Sequence, residues 1–149
     1  MTASPQAVLG MGAERTTLSQ DGVATVVAPG WAQLQRACLN RWPPHPADME
    51  NAIALIEDEL MRLPRDLRHL HVSSDEPMLR EIAHAAGLQE NDKRLDRDVV
   101  ERVFERLAAV ALGRPNAQER LPETPRFAAI LLILREMMHH LDISSIRLR

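Results

Sequence analysis

Residues 1–30 read MTASPQAVLGMGAERTTLSQDGVATVVAPG, and the fold class turns on what this stretch does. It is rich in Ser, Thr, Gly and Gln and has few large apolar side chains. Such a segment buries too little to offset its ordering entropy. The reading is therefore a flexible N-terminal arm over residues 1–30. Its only structured-looking piece is Val23-Ala24-Thr25-Val26-Val27, a β-prone run bounded by Gly22 and by Pro29-Gly30. The alternating Ser145-Ile146-Arg147-Leu148 is its expected pairing partner.

From Trp31 onward the periodicity is helical, which predicts one helical domain over residues 31–149. Trp31, Leu34, Cys38 and Trp42 form one narrow stripe, ended by Pro43-Pro44. Met49, Ile53, Ile56, Leu60 and Leu63 form the next, stopped by Pro64. Residues 65–72 fit either a short helix or an extended link. Ser74, followed by Asp75 and Glu76, marks the start of a third helix that ends at Gly87. Asp96 caps a fourth, with Val99, Val100, Val103, Leu107 and Val110 on one side. Thr124-Pro125 opens the last helix. Its first half, from Phe127 to Leu134, is apolar almost all round, which places it at the centre. The expected fold is mainly α: a compact bundle of four to five helices with a flexible N-terminal arm.

Composition narrows the function. Aromatic residues are 3% of the chain and Tyr is absent, too few for a surface on which bases stack. The net charge of −3 lacks the basic excess of a dedicated nucleic-acid binder. A single cysteine, Cys38, excludes an internal disulfide and a Cys-based zinc site. It sits in the Trp31–Trp42 stripe, so it reads as a buried, unreactive thiol. No apolar run reaches a membrane-spanning length and no secretory leader is visible, so the expected location is cytoplasmic. Lys93 is the only lysine among 18 basic residues, a skew typical of GC-rich bacterial genomes.

Three patterns suggest chemistry. Glu81-Ile82-Ala83-His84 and Glu136-Met137-Met138-His139 are a pair of Glu-x-x-His motifs. With Glu57 or Glu59 and Glu101 or Glu105 they resemble the ligand set of ferritin-like di-iron bundles. At about 100° per residue, however, His84 points away from Ile82, Glu136 and His139 away from Leu134, and Glu101 and Glu105 away from Val103. Glu57 alone falls at an apolar edge, where it could be partly buried and paired with an arginine. The second pattern, Leu79-Arg80-Glu81-Ile82-Ala83-His84-Ala85-Ala86-Gly87-Leu88, resembles the first helix and turn of helix-turn-helix repressors. The following segment carries Lys93 and Asp96 where that family is apolar, and its acids repel phosphates. The third is His84 itself, at a position similar to the phosphoacceptor of histidine-phosphotransfer domains. Their His-x-Leu-Lys-Gly pattern is here His84-Ala85-Ala86-Gly87, without the lysine. His69-x-His71 and His139-His140 lack a third metal ligand at readable spacing.

By elimination, the sequence reads as a non-catalytic helical interaction protein, not an enzyme, with no cofactor and no metal. The alternative is a helix-turn-helix-like DNA-binding regulator, and the third choice a metal-binding helical bundle. Leu55, Leu112, Leu132 and Ile133 lie off the main stripes of their helices and form the expected interaction surface. The partner would be a second copy of the chain, as a homodimer, or another protein; nucleic acid and membrane are not expected.

Overall fold

A computed structural model describes residues 6–149. The stretch assigned to a flexible arm is, from Gln6 onward, half of a β-sheet; residues 1–5 lie outside the described residues. Strands β1 (Gln6–Met11), β2 (Arg15–Gln20) and β3 (Val23–Pro29) form an antiparallel meander. Strands β4 (His71–Ser74) and β6 (Ser145–Leu148) add in parallel beside β1, and β5 (Arg94–Asp96) closes the edge antiparallel to β6. The sheet order is β3-β2-β1-β4-β6-β5. The mainly-α bundle with a flexible arm is thereby corrected to an α/β fold with a six-stranded mixed sheet. The β-prone run at 23–27 does become a strand, but its neighbour is β2, and β6 lies three strands away from β2.

The alternation that builds these strands is modest. Ala7, Leu9 and Met11 on β1, and Thr16 and Leu18 on β2, point to the covered face, joined by Val72, Leu95, Ile146 and Leu148. Thr16 is tolerated there because its Oγ1 donates to the carbonyl of Pro29 at 2.8 Å. The opposite face is open. Val8, Ser73, Arg147 and Arg94 lie in one row across β1, β4, β6 and β5. Parallel strands are usually covered on both faces, so an open row ending in two adjacent arginines is unusual.

Among the described residues six α-helices accompany the sheet: α1 (Trp31–Ala37), α2 (Pro46–Leu60), α3 (Pro77–Ala85), α4 (Arg97–Ala111), the short α5 (Asn116–Glu119) and α6 (Pro125–His140). Helix α6 starts where Thr124-Pro125 places it, and Thr124 Oγ1 accepts from the Phe127 N–H at 3.1 Å. Every residue from Phe127 to Leu134 is buried, because α6 packs against α1, α2, α3 and α4 as well as β3. No helix among the described residues is long and apolar enough to cross a membrane.

Helix α1 has no side-chain cap at Gly30. The β1–β2 turn caps it instead: the N–H groups of Ala32 and Gln33 donate to the carbonyl of Ala13, and that of Trp31 to Gly12. The approach is so close that a Cβ at Gly30 would sit 2.2 Å from the Ala13 oxygen.

Candidate functional site

The chain leaves β1 toward β2 and β3 on one side, then returns through α1 and α2 to β4 on the other. The boundary between β1 and β4 is therefore a topological switch point, and in open α/β sheets ligands bind beyond the carboxyl ends of the strands at such points. Here those ends are tied together. Ser74 Oγ donates to the Leu9 carbonyl at 2.9 Å and accepts from the Glu76 N–H at 3.2 Å. Glu76 Oε1 accepts from the Met11 N–H at 3.2 Å.

From Pro77 onward, α3 borders a groove of about 760 Å³, lined also by the first residues of α1 and α6 and by the loop after α3. Trp31 and Met78 give it apolar walls; Arg126, Glu81 and His84 give it charge and polarity. The Arg126 guanidinium lies 5.9 Å from the Trp31 ring centroid and 3.6 Å from Glu81 Oε2. It is half exposed and only loosely paired. Glu81 and His84, three residues apart on α3, share a helix face. Arg80 is committed elsewhere: its Nη1 donates to the carbonyls of Glu90 and Asp92, at 3.1 and 2.7 Å, and holds the loop in place. Arg126 can thus hold an anion against an apolar wall, with a carboxylate and an imidazole beside it.

A second cluster lies at the far end of α6. Arg135 makes a two-pronged contact with Glu101 on α4, at 2.8 and 3.1 Å, donates to Glu136 Oε2 at 2.8 Å, and stacks on the Phe104 ring at 3.8 Å. The bond from Arg135 holds the Glu101 carboxyl below its usual range. Glu136 is only 4% exposed. Burial, together with Glu57 opposite, pushes its carboxyl up to about 7. His140 Nε2 lies 3.8 Å from Glu57 Oε1 and 3.9 Å from Glu136 Oε1.

This arrangement corrects several sequence readings. Glu136 is interior, because α6 is enclosed by its neighbours and keeps almost no polar face there. Glu101 turns toward Arg135 and His139. Glu57 faces Glu136 and His140, with no arginine partner among the described residues. The two Glu-x-x-His motifs do not converge: Glu81 and His84 line the groove near the start of α6, and Glu136 and His139 sit near its end. The four-helix di-iron arrangement is therefore absent among the described residues. The helix-turn-helix reading also falls, since the segment after Gly87 becomes a turn and strand β5 where a recognition helix is required. Leu55 and Leu112 are exposed at 43% and 77%, whereas Leu132 and Ile133 are fully buried in the middle of α6. Cys38 is half-buried against the core, and burial, then the Asp48 charge, push its thiol up. His69 pairs with Asp142 at 2.8 Å. Arg126 was missed: its only sequence signal is its place beside Pro125 in the first turn of α6.

Neither a family model nor a curated protein matches the sequence. Solved structures do match the fold. The chain superposes on an Aquifex aeolicus member of the Ppx/GppA protein family with a TM-score of 0.71 at 12% identity, covering 99% of this chain and 52% of that one. It superposes on an Aquifex aeolicus PPX-GPPA enzyme with a TM-score of 0.72 at 11% identity, covering 99% and 54%. For an exopolyphosphatase-like protein the TM-score is 0.66 at 16% identity, covering 96% and 55%. The fold is thus an α/β domain of the Ppx/GppA type, and the chain spans about half the length of the structures it matches. The reading as a non-catalytic helical interaction protein, reached by elimination, is thereby corrected: the solved structures that share this fold include a PPX-GPPA enzyme.

Proposed function

We propose that the chain is one half of a phosphatase-like enzyme and that the groove beside α3 receives a phosphorylated anion. The observation that carries this is the half-exposed Arg126 set against Trp31 with Glu81 and His84 beside it, in a groove that begins at Pro77, just after β4, in a fold shared with Ppx/GppA-type proteins. Arg126 is the anchor, because a guanidinium matches phosphate oxygens in charge and geometry. Glu81 and His84 are the groups in reach to take a proton from water as it attacks phosphorus and the ester or anhydride P–O bond breaks. A cytoplasmic location, where phosphorylated metabolites are plentiful, belongs to the same proposal.

Titration calorimetry with inorganic tripolyphosphate tests the binding step. The expected result is saturable binding that Arg126→Ala weakens about tenfold, the cost of one charge-assisted contact. Glu81→Gln should leave binding intact while lowering release of orthophosphate from the same anion. Binding indifferent to Arg126→Ala would overturn the assignment of the groove.

A further inference from the structure

The cluster on the other side of α6 has donor chemistry that phosphate binding leaves unused. Glu136 and His140 are one helical turn apart on α6, and Glu57 approaches from α2. One ligand atom from each lies within 4.8 Å of the others. Glu136 Oε2 is held by Arg135, while Oε1 lies 3.9 Å from His140 Nε2 and the Glu57 carboxylate stands within 4.8 Å of both residues. A buried carboxylate oxygen facing a second carboxylate is costly unless a proton or a cation lies between them.

We propose that Glu57, Glu136 and His140 form a divalent-cation site of the zinc or manganese class. Two carboxylate oxygens and one imidazole nitrogen are ligands both ions accept. Around a tetrahedral ion with bonds of about 2.0–2.1 Å, ligand atoms stand about 3.3 Å apart. The present separations of 3.8 and 3.9 Å close to that with small side-chain rotations. Three protein ligands leave a coordination position for water, and the half-exposed Glu57 gives an entry path. Arg135 then acts on the ligand shell: its bond to Oε2 fixes the Glu136 carboxylate with Oε1 turned to the ion. The site is separate from the groove, since Glu136 lies ten residues beyond Arg126, about 15 Å along α6.

Calorimetric titration of the intact chain with Zn²⁺ and with Mn²⁺ at neutral pH provides the test. The expected result is one saturable site, weakened about tenfold or more by Glu57→Gln and by His140→Ala. His139→Ala, one residue outside the set, should leave it unchanged. Circular dichroism of each variant separates ligand loss from misfolding, and half-exposed Glu57 is the variant expected to fold normally. No saturable site for either ion would overturn the proposal, as would binding that survives both Glu57→Gln and His140→Ala. Tripolyphosphate binding at the groove, read separately, should be indifferent to these changes.

Discussion

Glu136 is held at its position by opposing influences. Burial and the Glu57 carboxylate favour its protonated form, while Arg135 favours the charged one, and the first two win. The folded chain therefore binds this proton more tightly than the unfolded chain, whose carboxyl titrates near its ordinary 4.5. Below that value both states hold the proton and the stabilisation is complete. It is lost as pH rises from there through about 7. Metal-free protein should lose on the order of 1–3 kcal/mol from this group across that window. Urea unfolding of the wild type and of Glu136→Gln at pH 5 and pH 7.5 measures it; the variant should show the smaller decline. None of this was legible from the motif alone. Helical phase placed Glu136 on the polar side, because phase counts residues and cannot count how many neighbours surround a helix.

Helix α6 was the most legible element, since a run from Phe127 to Leu134 with no charge has one stable placement, inside. Leu131→Ala should cost about 2–5 kcal/mol in urea unfolding, against about 0.5 kcal/mol or less for Leu112→Ala at its exposed site. Strands β1 and β2 were illegible for the converse reason. Their inward positions include Ala7 and Thr16, which carry little hydrophobic signal, and β4 and β5 span only four and three residues. Such short strands are specified by the neighbours they pair with, which a local pattern does not contain. The pairing also sets Arg94 directly opposite Arg147. Like charges in facing positions repel, and among the described residues Arg94 has an acidic partner, Asp96 at 2.9 Å, where Arg147 has none. Arg147→Thr should raise stability by about 0.2–1 kcal/mol, seen as a higher thermal midpoint at low salt.

Across the whole molecule, the groove became visible only when β1 and β4, more than sixty residues apart in sequence, were brought side by side. His84 and Glu81 stood out in the sequence as motif members; the arginine that completes the groove comes from the start of α6, and no spacing rule links the two. The junction at Gly30 joins the two layers in a similar way, sheet on one side and helix on the other. Gly30→Ala should destabilise the fold by about 1–3 kcal/mol, checked by chemical denaturation, since the added Cβ would overlap backbone atoms of Ala13 and Arg15. Because the first amides of α1 are spent on the β1–β2 turn, they cannot open on their own. In deuterated buffer the amide hydrogens of Ala32 and Gln33 should exchange in step with those of the β1–β2 ladder, as one cooperative unit, rather than at the fast rate of a frayed helix end.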